Sequence, residues 1–437
     1  MTRSLTISAT LDADLRADTQ NVQQVDGSYR SNTLGANRRF LIGEVAKSQS
    51  LDGRFTGMTV VNCDPVTGDP KPKSGVLSVV FRALDTHTNQ PVAVKFFDPD
   101  RDTVADSYRY DLFRRECDLL VGLQGRDRCL QLIQPIHEMD FTLVNPATGQ
   151  ALVKKTYYFV VEWLDKDLRD YFLNQQAIPT DKKLEVFRQI VLSAFALHNA
   201  QIFHRDLKPE NLRSVTRGAI EVAVAIDLGT AAMFTSATIG TPADYLGSVG
   251  TTIYSPVESH CGLSGVRTLG IYTDVYSLGC MLHDMFNLDM FFVRQIADAG
   301  YLSASGLCHG HMIAQASRGL TQQQLIAEWH KLLNATKRKV TTPSIEGPGN
   351  SVPLACRDLL DTLLMGLTAF DYRDRITDRD QILRYIDSAL RIMNNALAEK
   401  AARDLRRQRR QAAMDKIRMR AEKLAAYLAT RKSKGIS

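Results

Sequence analysis

Long apolar runs are missing from this chain of 437 residues, because no window approaches the roughly eighteen consecutive apolar residues of a membrane-spanning helix. Cysteine is sparse, and the seven cysteines lie scattered without paired spacing, which is typical of free thiols in a reducing compartment rather than of a disulfide framework. Residues 1–16 lack the apolar core of a signal peptide. These absences predict a globular cytoplasmic protein with no transmembrane span.

Acidic residues are scarce at the C-terminal end, where residues 387–437 hold fourteen Lys or Arg against five Asp or Glu. This stretch carries +9, so the first 386 residues carry −3 of the net charge of +6. Apolar residues recur at helical spacing over about residues 388–431, which predicts a long basic helix. This helix is either solvated, docked on the body or paired as a coiled coil, or it binds an anionic partner, a nucleic acid or a membrane surface. Only Tyr427 is available for base stacking, which disfavours single-stranded RNA.

The chain does contain a dense group of residues suited to phosphoryl transfer, in residues 204–212 with the sequence His-Arg-Asp-Leu-Lys-Pro-Glu-Asn-Leu. Asp206, Lys208 and Asn211 place a carboxylate, an ammonium and an amide within six residues, and Asp227 follows a predicted apolar strand. A base, a cation near the phosphate and metal ligands are what phosphoryl transfer requires. Asp206 is the candidate base and Lys208 the candidate cation. Asn211 and Asp227 offer the oxygen ligands that Mg²⁺ prefers.

Hydrophobic periodicity and turn residues predict the elements around this group. They are an entering strand (39–43), a long loop (48–74) with a short strand inside it (58–61), two strands (76–81 and 91–96) joined by a turn (85–89), and two helices (104–123 and 181–199). Lys95 lies near the end of the second of the paired strands, in the sequence Val-Ala-Val-Lys, and Glu116 lies within the first helix.

These motifs, over about residues 39–390, resemble the eukaryotic-type (Hanks-type) Ser/Thr protein kinases. The resemblance implies an α+β, bilobal protein-kinase-like fold. A small, five-stranded antiparallel sheet with helix C forms the N-lobe, a larger and mainly helical part forms the C-lobe, and the long basic C-terminal helix follows. It also makes residues 166–171 the first C-lobe helix. The implied divisions are a flexible N-terminal arm (1–38), the N-lobe (39–161), the C-lobe (162–390) and a basic helical extension (391–437).

The resemblance assigns catalytic roles to Asp206, Lys208, Lys95 and Glu116, with Glu116 holding Lys95 towards the nucleotide phosphates. The cofactors implied are ATP and Mg²⁺, with Mn²⁺ as an alternative metal, and the metal is expected to be held by Asn211 and Asp227. Residues expected to bind the nucleotide come from the lid, the sheet, the gatekeeper and hinge, and the metal site: Gly75, Val80, Ala93, Lys95, Val161, Glu162, Leu164, Asn211 and Asp227. The partners implied are proteins with Ser or Thr acceptors and a second copy of the chain for trans-autophosphorylation.

A segment from Asp227 to Glu258 resembles the kinase activation segment, so regulation by phosphorylation is implied. Arg205 is expected to pair with a phosphate on this segment. Thr251 is expected to bond the catalytic acid and lysine. Glu258 is expected to pair with Arg375. An aspartate in the central C-lobe helix, Asp274, is expected to brace the catalytic loop.

The loop that covers the phosphates departs from the family pattern. Counting back from Lys95, the glycine-rich frame falls on residues 73–78, where only Gly75 is a glycine. The alternative frame ends the first strand near Gly43, with the following stretch inserted into the loop. Because this frame keeps only one glycine, an alternative interpretation is that the chain is a pseudokinase, a scaffold that binds nucleotide or partners without efficient phosphoryl transfer.

Overall fold

The computed structural model describes residues 36–71, 78–100, 107–144, 151–173, 178–234, 250–337, 340–345 and 352–433. Nearly all of the predicted N-terminal arm and the lid glycine Gly75 lie outside these residues. No helix within the described ranges is long and apolar enough to cross a membrane. The seven cysteines are all buried free thiols. The predicted α+β class is confirmed, because a sheet precedes a mainly helical region.

Within the described residues, the sheet has six antiparallel strands in the order β1-β2-β3-β4-β6-β5. The strands are β1 (Ser50–Leu51), β2 (Phe55–Val60), β3 (Ser78–Asp85), β4 (Gln90–Phe97), β5 (Leu132–Val144) and β6 (Ala151–Glu162). The prediction of five strands missed the two-residue edge strand β1. Asp52 and Gly53 turn β1 into β2 with positive φ angles of 52° and 65°, so the predicted long loop is largely a hairpin.

The entering strand predicted at residues 39–43 is wrong, since this stretch belongs to helix α1 (Ala36–Lys47). Leu41, Ile42 and Val45 are buried on one helix face and pack with Phe81 of the sheet. A short apolar run fits a strand or a helix equally well, and here burial of the i, i+4 pair Leu41 and Val45 stabilises the helix.

Helices cover both faces of the sheet. On one face, the apolar side of α1 packs with aromatic residues such as Phe96. On the other, helix α2 (Ser107–Gly122) packs Phe113 against Phe97 and Phe159. Strand β4, which carries Lys95, is therefore held from both sides.

The helical region is centred on α4, whose residues are buried almost throughout. Its helices are α3 (Thr180–His198), α4 (Gly270–Phe286), α5 (Phe291–Ala297), α6 (Ala299–Ala316), α7 (Gln322–Thr336), α8 (Leu354–Leu367) and α9 (Arg379–Ser433). Its short strands are β7 (Lys166–Asp167), β8 (Ile202–Phe203), β9 (Leu212–Arg217), β10 (Ile220–Ala225) and β11 (Ala232–Met233). The helix predicted at 166–171 is wrong, because β7 pairs with β9 there and only a three-residue 3-10 helix follows.

The long basic helix predicted near the C-terminus is observed as α9, which begins earlier than expected and runs for 55 residues, about 80 Å. Ile382, Ile386, Ala389 and Met393 bury one face in the core. From residue 394 to residue 423 every described side chain is exposed. The helix is thus docked for its first four turns and projects thereafter.

Candidate active site

Lys95 meets two carboxylates that come from distant parts of the chain. Its Nζ lies 2.6 Å from Oε2 of Glu116 on α2 and 3.1 Å from Oδ1 of Asp227 after β10. The Lys95 and Glu116 side chains are 14% and 4% exposed, whereas that of Asp227 is 43% exposed. The pair predicted from the resemblance is therefore formed, and Asp227 keeps an open side.

These charges shift one another's pKa values. Burial alone would lower the pKa of Lys95, but the carboxylates of Asp227 and Glu116 outweigh it and raise this pKa above its usual range. Burial raises the pKa of Glu116 in spite of Lys95. The Lys95 ammonium lowers the pKa of Asp227 against the effect of burial. Lys95 is thus a cation and Asp227 an anion at neutral pH, as a phosphate-directed cation and a metal ligand must be.

A second group of side chains converges on Asp206, in the loop between β8 and β9. Its Oδ2 accepts hydrogen bonds from Nζ of Lys208 at 2.8 Å and from Nδ2 of Asn211 at 3.1 Å. Its Oδ1 accepts from the backbone N–H of Thr251 at 2.7 Å. Lys208 also donates to the hydroxyl of Thr251 at 2.6 Å. Thr251 thus bonds both the candidate base and the candidate cation, as the resemblance implied.

The close approach of the Thr251 segment to this loop requires a glycine. Gly250 has a φ of +93°, and a Cβ there would lie 2.4 Å from the carbonyl oxygen of Arg205. Only Gly adopts this conformation at no steric cost. In the sequence, only the position of Gly250 directly before Thr251 marks this glycine as a residue of the site.

Asp274 on α4 holds the backbone of the catalytic loop. Its two carboxylate oxygens accept from the backbone N–H groups of His204 at 2.8 Å and Arg205 at 2.7 Å, and from Nε2 of His198 at 2.8 Å. Arg205 has a positive φ of 63°, a conformation that costs free energy and persists only when its surroundings enforce it. The Asp274 carboxylate supplies that enforcement.

The guanidinium of Arg205 is engaged by backbone carbonyls rather than left open. It donates to the carbonyl of Thr230 at 2.9 Å and to that of Ser264 at 3.0 Å. Residues 235–249, the middle of the candidate activation segment, lie outside the described residues. The predicted pairing of Arg205 with a phosphate stays a prediction.

The segment ends at a buried ion pair. Glu258 and Arg375 are each 1% exposed in their side chains, and Nη2 of Arg375 lies 3.2 Å from Oε2 of Glu258. The Arg375 guanidinium also lies 5.0 Å from the ring centre of Tyr276. The sequence ends this motif Pro-Val-Glu, and the glutamate nevertheless reaches its expected partner.

Asn211 and Asp227 fit a metal ion by their donor chemistry. The side-chain amide nitrogen of Asn211 donates to Asp206, so the amide oxygen of Asn211 points away from that carboxylate. The backbone of Asp227 lies in the left-handed region, at a φ of 63°. No cluster of three or more His, Cys, Asp or Glu suited to a metal occurs in the described part of the chain. Mg²⁺ is usually bound by one or two carboxylates together with substrate phosphates, so these two residues suit a metal that arrives with a nucleotide.

The candidate adenine residues lie on neighbouring strands. Ala93 pairs with Val161 across β4 and β6, and Val80 pairs with Lys95 across β3 and β4. Glu162 ends β6, and its carboxylate is bound to Arg217 while its backbone N–H donates to Gln131. Leu164 follows in the connector and is buried.

The structure excludes one of the two frames proposed for the lid, and the other, on residues 73–78, lies almost wholly outside the described residues and stays a prediction. Gly43 lies in α1, so the frame that ended a strand there is wrong. Strands β2 and β3 are joined by residues 61–77, of which 72–77 lie outside the described residues. The side chain of Asn62, a residue that no sequence pattern marks, joins the two ends of this connection. It donates to the Ser78 carbonyl and accepts from the Val80 N–H, both at 2.8 Å.

Three features of this site are typical of a phosphotransferase: Lys95 paired with Glu116 of α2, Asp206 bonded to Lys208, and the oxygen donors of Asn211 and Asp227. The family model for the protein kinase domain matches residues 74–385. The chain belongs to the protein kinase family, within the Hanks-type Ser/Thr kinases, and has their bilobal fold.

Three relatives illustrate this membership. A probable cell division protein kinase of Encephalitozoon cuniculi is 28% identical over 222 residues, which cover 50% of this chain and 70% of that protein. Cyclin-dependent kinase 2 of Caenorhabditis elegans is 25% identical over 276 residues, 61% of this chain and 64% of that protein. Mitogen-activated protein kinase 14 of Oryza sativa subsp. japonica is 26% identical over 306 residues, 69% of this chain and 50% of that protein. The chain thus spans less than two thirds of the latter two.

Proposed function

We propose that this chain transfers the γ-phosphoryl group of ATP to Ser or Thr hydroxyls of proteins, with Mg²⁺, or Mn²⁺ in its place, as the metal. The observation that supports this most directly is the convergence of Lys208, Asn211 and Thr251 on Asp206. These three contacts to the carboxylate lie between 2.7 and 3.1 Å and fix its orientation.

Each residue then has a defined task in the transfer. Asp206 accepts a hydrogen bond from the attacking hydroxyl and orients it, while Lys208 stabilises the negative charge that spreads over the transferring phosphoryl oxygens. Lys95 holds the α- and β-phosphates from the opposite side, positioned by Glu116. A metal bound at Asp227 and Asn211 supplies neutralisation of phosphate charge.

The test is incubation of the purified full chain with Mg²⁺, a generic protein acceptor and ATP labelled on its γ-phosphate. We expect label on Ser and Thr and none on Tyr, lost when the metal is chelated. Mass spectrometry of the same sample is expected to place autophosphorylation between Thr230 and Tyr254. A rate that rises with the square of protein concentration indicates trans-autophosphorylation between two copies.

A second candidate function, the nucleotide-binding pseudokinase, is favoured by the single glycine of the lid frame. The two functions separate in one comparison. Binding of ATP–Mg²⁺ with no label on any acceptor would contradict the kinase function and support the pseudokinase function. Label above background would contradict the pseudokinase function.

For the basic extension we propose an anionic partner, a nucleic acid or a membrane surface, in keeping with a cytoplasmic location. Residues 394–433 of α9 carry twelve Lys or Arg and four Asp or Glu, and the side chains described there are exposed. Neutralising phosphates with exposed basic residues releases counterions, so such binding weakens steeply with salt.

Truncation at residue 399 is expected to abolish binding to duplex DNA or to anionic vesicles and leave phosphoryl transfer intact. For about four phosphate contacts, the intact chain should lose on the order of a hundredfold in affinity between about 50 and 200 mM salt. Fluorescence anisotropy with DNA and co-sedimentation with vesicles measure the two arms. Replacing Arg406, Arg407, Arg409 and Arg410 with Gln is the control that keeps the helix length. Unchanged binding after truncation would sink the proposal.

A further inference from the structure

A buried ion pair joins helix α1 to the strand that carries the catalytic lysine. Arg38 is 5% exposed and Asp98 is fully buried. Nε of Arg38 donates to Oδ1 of Asp98 at 2.8 Å, and Nη2 donates to Oδ2, so the contact is bidentate. Asp98 directly follows β4, three residues after Lys95. A residue that precedes the region matched by the family thus grips the chain just beyond the active-site strand.

Asp98 begins a three-residue segment, residues 98–100, that also contacts the N-terminal end of α1. Asp100 accepts from the backbone N–H groups of Asn37 at 2.9 Å and Arg38 at 3.4 Å. The side chain of Asn37 donates to the carbonyl of Pro99 at 3.1 Å. The first N–H groups of a helix lack partners within the helix and favour a carboxylate. Residues 98–100 therefore supply hydrogen-bond acceptors to the first turn of α1, and these bonds hold the segment in place.

This segment is also held from β6 and from α2. Lys154 donates to the carbonyl of Pro99 at 2.7 Å, and Thr156 donates to that of Phe97 at 3.1 Å. The Phe97 ring lies 5.6 Å, centre to centre, from both Tyr110 and Phe113 of α2. After Asp100, a connection of only six residues, 101–106, leads into α2, which carries Glu116.

We infer that α1 is a clamp for helix α2: Arg38 and Asn37 fix residues 98–100 and so keep Glu116 within reach of Lys95. Releasing these residues removes the contacts that fix the chain directly after β4 and increases the number of conformations that α2 samples. Because the Lys95–Glu116 pair must be formed for phosphoryl transfer in this family, the clamp makes Arg38 a positioning residue. Its effect on activity rests on the proposed function.

The test removes both buried charges together, with Arg38→Met and Asp98→Asn in one chain, because a buried charge left without its partner would itself destabilise the protein strongly. We expect kcat/KM for ATP to fall about tenfold, less than the roughly hundredfold cost of a misplacement by about 1 Å, because the Lys95–Glu116 pair is loosened and not removed. The melting temperature should stay close to that of the wild type. Arg39→Met, an exposed neighbour on the same helix, is the matched control and should behave as the wild type.

A double-mutant cycle with Glu116→Gln tests whether the clamp acts through the pair. In the Glu116→Gln background, loss of the clamp should change kcat/KM little further. An equal tenfold loss in both backgrounds would overturn the inference, as would wild-type activity in the clamp variant. If the double variant does not fold, Asp100→Asn, at a partly exposed position, replaces it with the same cycle.

Hydrogen–deuterium exchange of residues 107–122 provides a readout that does not depend on catalysis. Exchange should quicken in the clamp variant and remain at the wild-type rate in Arg39→Met. Unchanged exchange overturns the clamp even in an active enzyme. Absence of phosphoryl transfer by the wild type would contradict only the proposed function, because the exchange measurement still decides on α1.

Discussion

Replacing Asp206 with Asn is expected to lower kcat for phosphoryl transfer by about 10²–10⁴-fold, the contribution of a positioned acid–base group. The amide cannot accept from Lys208, Asn211 and Thr251 as the carboxylate does, and it cannot receive a proton from the attacking hydroxyl. Affinity for ATP should stay close to that of the wild type, because Lys95 contacts Glu116 and Asp227 rather than Asp206. Steady-state kinetics and nucleotide titration measure the two quantities separately.

Asp140→Asn is the matched control, since it makes the same chemical change at an exposed position of β5. It should leave kcat near the wild-type value. An Asp206→Asn enzyme that retains transfer within a fewfold of wild type would contradict the role assigned to this carboxylate. Loss of ATP binding together with transfer would instead point to a collapsed cleft.

The catalytic loop could be predicted from sequence because its geometry is local. Asp206, Lys208 and Asn211 lie within six residues, so their spacing nearly determines their contacts. The pairing of Lys95 with Glu116 and Asp227 joins residues 21 and 132 positions apart. The Lys95–Glu116 pair was predicted only through the family resemblance, and the contact of Lys95 with Asp227 was not predicted, since no periodicity in the chain encodes either.

The errors lie where local pattern and tertiary packing compete. The apolar run at residues 39–43 resembles a strand, and the sheet face that buries Leu41 and Val45 makes it a helix. The clamp was not foreseen either, because Arg38 and Asp98 are 60 residues apart and each looks like an ordinary surface charge in the sequence. Buried ion pairs of this kind become visible only when the fold removes both partners from water.

The hinge has contacts that no sequence pattern marks. The backbone N–H of Glu162 donates to the Gln131 carbonyl, and the expected contact of this residue with the nucleotide stays a prediction. Its carboxylate accepts from Arg217 and from the Gln131 N–H. These contacts connect the end of β6 to β9, so the glutamate side chain stabilises the junction between the sheet and the catalytic region.

Replacing Gly250 with Ala is expected to lower kcat by about a hundredfold, the effect of a displacement of about 1 Å within an active site. The added Cβ would lie 2.4 Å from the Arg205 carbonyl oxygen and 3.1 Å from Oδ1 of Asp206. The chain must move away, and Thr251 moves with it, which breaks its contacts with Asp206 and Lys208. Steady-state kinetics, with circular dichroism to verify folding, measures the loss.

Gly218→Ala is the control that separates collision from backbone strain. Gly218 also has a positive φ, +64°, but nothing lies within 4 Å of its would-be Cβ. This variant should lose stability by about 1 kcal/mol from the unfavourable φ and keep its kcat. Equal losses of kcat in both variants would show that strain alone is responsible. A Gly250→Ala enzyme with wild-type kcat would mean that Thr251 does not need its place beside Asp206, and that the base functions with Lys208 and Asn211 alone.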